Sequence, residues 1–386
     1  MNPMDELRAA RPAHLGDRPV DERTRAAELA RAMSGARRPR RRRAVVRPVW
    51  GLAALAAGAT AVAVVVAGNA APQPGGQAPQ ADGQVPQAGE SASATPRKVT
   101  LSAREVLLAA AEKADRQPDG TGDWWYTSSV SRYVYPAVKG GYLVVDRQRN
   151  DEWTPRATGG DQWSRQQRLG AEPAGEADRL AWEQAGSPSE IDVVVPVKKV
   201  APMRLSTASG KPATSHSSLV DGDKVFWLGR NVTMKDLRGL PDEPAKLKKW
   251  LLDSYTGHST ESSSVKMSSD DWLFAVSVGL IVDMPVTPQV RGAAFRMLAG
   301  LDSVKVIENV TDAEGRTGTA AALRANDKRT GVRESRLIFD EATGRALGTE
   351  SIVVEPRGAM AVLEPGTVSS SEAVLESGWT DAGPKR

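Results

Sequence analysis

From Val49 to Gly68 the chain runs for 20 apolar or small residues without a charge. At about 1.5 Å per residue a helix of that length matches the roughly 30 Å hydrocarbon layer of a bilayer. Eight of the twenty are Ala and three are Gly, so apolarity alone inserts it weakly. The flanks add the second signal. Arg37, Arg38, Arg40, Arg41, Arg42, Arg43 and Arg47 crowd its N-terminal side, and no charge follows it until Asp82. The positive-inside rule then predicts a single-pass protein of the cell membrane with a cytoplasmic N-terminus. A cleaved secretory or twin-arginine signal ending at Gly68-Asn69-Ala70 is the rival reading.

Four segments follow from the pattern. Residues 1–48 form a cytoplasmic basic segment, 49–68 a transmembrane helix, 69–98 a tether and 99–386 an extracytoplasmic domain. Within the first, Val20 to Met33 places Ala26, Leu29, Ala30 and Met33 on one helical stripe. Leu29 and Met33 are its large apolar side chains and the candidate contact for a cytoplasmic partner; a disordered tail is the alternative. The tether holds five Pro, four Gly and five Gln among 30 residues and cannot bury a core. As a flexible disordered linker it spans on the order of 30 Å.

Beyond Thr100 the periodicity becomes globular. Ser102 and Glu105 form a capping box before the apolar positions Val106, Leu107, Ala109 and Ala110. Aromatic and β-branched runs at Trp124–Tyr135, Tyr142–Gln148, Glu152–Ala157 and around Trp163 predict a strand meander. A short helix is expected over Ala174–Gly186, and strands over Val193–Lys199 and Lys224–Arg230. Asp242 is a plausible N-cap before Pro244, with Leu247, Trp250 and Leu251 on one helical face. Trp272–Val282 is apolar for 11 residues, too short to span and so a core helix, and Pro288 opens another with Val290, Ala294, Met297 and Leu301 in phase.

An acidic-Ala-x-Gly-Arg turn occurs twice, at Asp312–Arg316 and Glu341–Arg345, each between β-rich runs. Its Gly suits positive φ in a hairpin loop, so two successive hairpins of one antiparallel sheet are expected. The fold class is α+β, an antiparallel sheet packed with helices.

Charge sharpens the division. Residues 1–47 carry thirteen Arg against six acidic residues, a net +7, which leaves the part from 99 onward at −3 although the whole chain is +4. The arginines, beside a membrane span, point to anionic headgroups rather than to nucleic acid. The chain has no Cys, which excludes disulfides, thiolate zinc, iron–sulfur clusters and a Cys nucleophile. His14, His216 and His258 are too few and scattered for most metal or triad enzymes, and no cofactor is expected.

Ser263 and Lys266 match the Ser-x-x-Lys of penicillin-binding serine enzymes, and Lys328–Gly331 faintly their Lys-Thr-Gly. No Ser-x-Asn lies between them, so a secreted serine hydrolase is the weaker alternative to a non-catalytic protein. Adjacent acids such as Asp151-Glu152 and Asp270-Asp271 read as solvated turn or helix-start residues. Along a strand Trp124 and Tyr126 share one face and Trp125 the other. With Trp163 and Trp227 they are the candidate groove for an apolar or sugar ligand, core packing being the competing role.

The Arg cluster, Ala/Val span, tether, Trp124–Val130, Leu237–Leu251, Val290–Arg316 and Leu337–Gly348 together resemble a family of uncharacterised actinobacterial single-pass membrane proteins. Its members tend to be encoded near extracytoplasmic-function sigma factors, which implies an anti-sigma-like role in signal transduction and a sigma factor or other regulator as cytoplasmic partner. The segment Leu337–Gly348 is also similar to the periplasmic lipid and lipoprotein-carrier fold shared with envelope-stress sensors. That likeness implies a curved half-barrel around helices, and a tethered lipid or lipoprotein carrier as the alternative function. The N-terminal segment lacks the His and Cys ligands of zinc-type anti-sigma domains.

Overall fold

The computed structural model describes residues 102–195, 201–228, 230–260 and 265–384. The expectations for the membrane span, the tether, the arginine cluster and the Leu29/Met33 stripe lie outside the described residues, as does Ser263. Among the described residues no helix is long and apolar enough to cross a membrane.

The domain is α+β. In chain order come α1 (Ala103–Asp115), β1 (Trp124–Pro136), β2 (Leu143–Pro155), β3 (Asp161–Pro173), α2 (Glu176–Gln184), β4 (Glu190–Val193), β5 (Met203–Ser206), β6 (Ala213–Ser218), β7 (Lys224–Trp227) and β8 (Arg230–Thr233). A helical middle follows, α3 (Met234–Arg238), α4 (Pro244–Leu252), α5 (Ser269–Val282) and α6 (Pro288–Ala299). The chain then returns to β9 (Val304–Thr311), β10 (Thr317–Asp327), β11 (Gly331–Asp340), β12 (Arg345–Pro356) and β13 (Val368–Thr380).

Local chemistry starts and stops these elements. Ser102 and Glu105 form the expected capping box on α1, and Ser268 and Asp271 form another on α5. Thr287 caps α6 through its hydroxyl, with Pro288 in the first turn. Gly315 and Gly344 close the two hairpin turns at φ +78° and +66°, the backbone the repeated motif asked for. Gly292 on α6 serves contact instead of turning: a Cβ there would stand 1.9 Å from Asp115 Oδ1 and 2.9 Å from the Ala111 carbonyl, so only Gly lets α1 and α6 lie this close.

One nine-stranded antiparallel sheet organises the rest, in the order β6-β3-β2-β1-β13-β12-β11-β10-β9. Two local meanders meet where β1 pairs with β13, from Trp124 opposite Thr380 to Tyr133 opposite Ser370. The strand period of two gives the sheet two unlike faces. Leu337, Phe339, Ala321 and Leu323 point to one face and join Trp272, Phe274, Leu280, Phe295 and Leu298 of the helices in the main core. A second cluster, of Tyr135, Tyr142, Val144, Ala171, Ile191, Val193 and Leu205, lies where α2 and the β4–β5 hairpin pack.

Several expectations are corrected. The runs at Tyr142–Gln148 and Glu152–Ala157 are not separate strands, since β2 passes through Asn150 without a break. Asp151 and Glu152 are strand-interior residues and not turn residues, because their cross-strand partners hold them in the sheet. Glu243, not Asp242, is the N-cap of α4, and it makes no side-chain cap. Of the strand expected over Val193–Lys199, Val193 ends β4, where Glu190 and Asp192 face solvent and Ile191 and Val193 the core; residues 196–199 lie outside the described residues.

The β9–β10 turn locks across the sheet through one arginine. Arg316 donates from Nε to Asp312 at 2.7 Å, from Nη1 to the Val374 carbonyl at 2.7 Å and from Nη2 to the Leu347 carbonyl at 2.6 Å. The Asp312 side chain is 2% exposed. Arg316→Ala leaves that carboxylate buried without its cation, and should cost about 3 kcal/mol in denaturant unfolding, with Asp312→Ala/Arg316→Ala recovering part of the loss. A single-variant cost below about 1 kcal/mol would show that the turn does not depend on the pair.

Candidate functional site

The proposed aromatic groove is only partly assembled. Cross-strand register places Tyr126 opposite Trp153, Trp153 opposite Trp163 and Trp163 opposite His216, a row running over β1, β2, β3 and β6. Tyr126 and Trp153 are 5.0 Å apart at 36°, and Trp163 and His216 are 4.5 Å apart at 23°. The ring faces are therefore spent on one another, which leaves edges rather than a platform for stacking a sugar. Trp124 stands apart from the row against the backbone at Gly383. Trp227 is 2% exposed and belongs to the main core, because β7 turns it toward the helices, so it lines no groove.

Beside this row Asp151 is buried and fully engaged. It accepts from Ser128 Oγ at 2.7 Å, Arg149 Nε at 3.1 Å and Arg165 Nε at 2.9 Å. Burial works to raise its pKa, but these hydrogen bonds and the two guanidiniums outweigh it and hold the carboxyl below the usual range. At the edge, Asp161 accepts from His216 Nδ1 at 2.6 Å and Ser218 Oγ at 3.0 Å. A Ser-His-Asp triad needs the hydroxyl on the far imidazole nitrogen; here the carboxylate takes both bonds and the grouping is structural. Among the described residues no three His, Asp or Glu come together as a metal site.

The other sheet face carries the unusual electrostatics. Trp125 and Trp379 pair across β1 and β13 with rings 5.5 Å apart, edge to face, and Trp125 Nε1 donates 2.6 Å to the carbonyl of Asp283, the C-cap of α5. The side chains of Glu152, Glu372 and Asp283 lie nearby, partly accessible yet densely surrounded by protein. Burial, reinforced by the Glu372 charge, pushes Glu152 up to about 8. Burial followed by its two acidic neighbours raises Asp283 well above the carboxylate range. The negative end of the α5 dipole acts in the same direction. Glu372 is raised by burial against an opposing hydrogen bond with Ser129.

Next to the tryptophan pair opens a cleft of about 430 Å³, lined by Thr154, Arg156, Thr158, Lys235, Arg238 and Trp379 together with Leu219, Asp223 and Val225. Arg156 places its guanidinium 4.4 Å from the Trp379 ring centre, and Arg238 lies 6.0 Å away on the same ring. Arg238 is paired through Nη2 with Asp119. A second recess, of about 320 Å³, contains Arg132, Asp312 and Glu350, whose charges are already paired. Sequence reading missed the first cleft. Its residues come from 154–158, 219–238 and 379, and no local pattern links those stretches.

No protein-family model matches the chain, and no curated protein matches it. Among solved structures, it is similar to the MucA/MucB complex of Pseudomonas aeruginosa at 13% identity and TM-score 0.24, covering 72% of this chain and 58% of that one. It is also similar to MucB in complex with MucA(peri), at 12% identity and TM-score 0.21 over 73% and 57%. A third is a DUF1329 family protein from Desulfovibrio piger, at 10% identity and TM-score 0.17 over 74% and 96%. The chain thus spans a little over half the length of the MucB structures it matches. At these scores the alignments carry no argument, and the reading below rests on this chain's own residues.

The raised carboxyls set a pH dependence. The folded chain holds a proton on Glu152 up to about 8, and the unfolded chain only to about 4.5. Stability should therefore fall as pH rises between those values, by up to about 1.4 kcal/mol per unit, and level off above. Glu152→Gln should flatten that fall and raise Tm at pH 9 relative to the native chain. An unchanged pH–Tm profile in the variant would place the titrating group elsewhere.

Proposed function

We propose that this is a membrane-anchored, extracytoplasmic sensor or binding protein of the cell envelope, non-catalytic and anti-sigma-like in its output. The cleft beside Trp379 carries the reading. It is concave and of ligand size, with two guanidiniums and an ammonium around an indole, and its lining holds no nucleophile with a base beside it. Occupancy is relayed through the single span at residues 49–68 to the cytoplasmic stripe of Leu29 and Met33, the segment placed to touch a sigma factor or similar regulator. The arginines from Arg37 to Arg47 hold that segment on anionic headgroups.

A tethered lipid carrier is disfavoured by one observation. The space between helices and sheet is filled by Trp272, Phe274, Phe295 and Phe339, each nearly or fully buried, so an acyl chain would have to displace the core. The test is extraction of small molecules from the full chain purified out of its native membrane, beside Ala157→Trp, which fills the cleft mouth. The expected result is a molecule recovered from the native chain and lost from the variant. Equal recovery from both, or recovery of acyl lipid regardless of the substitution, would contradict it.

A further inference from the structure

We infer that the cleft beside Trp379 binds a phosphoryl oxyanion, which names the ligand chemistry of the site on which the proposed function rests. The argument is one of donors without acceptors. Trp379 Nε1 and Arg238 Nη1 are buried, and neither makes a hydrogen bond among the described residues. Both belong to groups that only donate: an indole nitrogen and a guanidinium accept nothing. A buried donor left unpaired is costly, and both side chains belong to the lining of the cleft, where a small turn of either would bring its free N–H to an acceptor from outside the chain.

Charge points the same way. Arg156, Lys235 and Arg238 line the cleft against one acid, Asp223. Asp119 answers Arg238 from one side and Lys235 feels the Asp236 charge, but among the described residues neither Arg156 nor Lys235 makes a direct ion pair. Arg156 is exposed and is held over the Trp379 ring rather than against a carboxylate, with its fork free to turn to a ligand. Thr158, which is exposed, adds a hydroxyl at the rim. A compact, multiply charged group with several acceptor oxygens meets all these donors at once, and a guanidinium fork matches phosphoryl geometry in particular. A neutral sugar would leave the Arg156 and Lys235 charges unanswered. A cation is repelled by the three charges already there.

The same headgroup chemistry occurs free in solution and on a lipid, and the experiment separates the two. The full chain in detergent is titrated with inorganic phosphate and with glycerol 3-phosphate, followed by tryptophan fluorescence and calorimetry. It is then reconstituted and exposed to vesicles of phosphatidylglycerol or of phosphatidylcholine. Saturable binding of the soluble anions is expected or, if the source is lipid, binding of the anionic vesicles that exceeds what the Arg37–Arg47 cluster retains in the cleft variants. Trp379→Phe keeps an aromatic ring and removes the donor, and should weaken binding about fivefold; Arg156→Gln with Lys235→Gln, both exposed and outside the seam, should weaken it about tenfold or more with Tm unchanged. No saturable binding to inorganic phosphate, glycerol 3-phosphate or phosphatidylglycerol vesicles overturns the inference, as does binding that the variants leave intact. Recovery of an uncharged molecule from the cleft in the extraction experiment would overturn the anion assignment while leaving the binding function standing.

Discussion

The pairing of β1 with β13 is the constraint on which the rest depends. Two local meanders, β1 to β3 and β9 to β12, need only short connections, whereas Trp124 and Thr380 meet across more than 250 residues of chain. Such closure is entropically expensive, and it is retained because ten register pairs and the tryptophan pair follow from it. Removing it would leave β1 and β13 as open edges. It would also take away the floor of the cleft, since Trp379 arrives only with β13.

The same seam concentrates cost. Glu152 and Glu372 project from strands beside it, and Asp283 ends the helix above it. Three carboxyls whose pKa values burial raises, set near an apolar core, are not what stability alone selects. Asp283 meets Trp125 through its carbonyl, and Trp125 packs on Trp379, which lines the cleft, so one aromatic pair connects the acidic cluster to the cationic cleft.

Local features of the fold were legible in the sequence. The Ser102–Glu105 box, the apolar run at Trp272–Val282 and the twin turns at Asp312 and Glu341 each carry their signal within about fifteen residues, and each formed as read. The opposite orientations of Trp125 and Tyr126 also followed from strand alternation. Asp151-Glu152 misled because adjacent acids usually mark solvent; strand alternation sends one into a guanidinium network and the other toward the helices, a difference only cross-strand neighbours reveal. Trp227 misled for a related reason, since an aromatic in a four-residue strand reads the same whether it lines a groove or fills a core. The cleft was invisible because Arg156, Arg238 and Trp379 become neighbours only after the long-range closure.

Hydrogen exchange on the full chain, with and without inorganic phosphate, tests the central claim that the seam builds the binding site. The account predicts new protection confined to residues 154–158, 233–238 and 379–380, the three stretches that line the cleft around Trp379 of the seam. Protection centred instead on the aromatic row at Trp163 and His216, or no change anywhere at saturating phosphate, would contradict it.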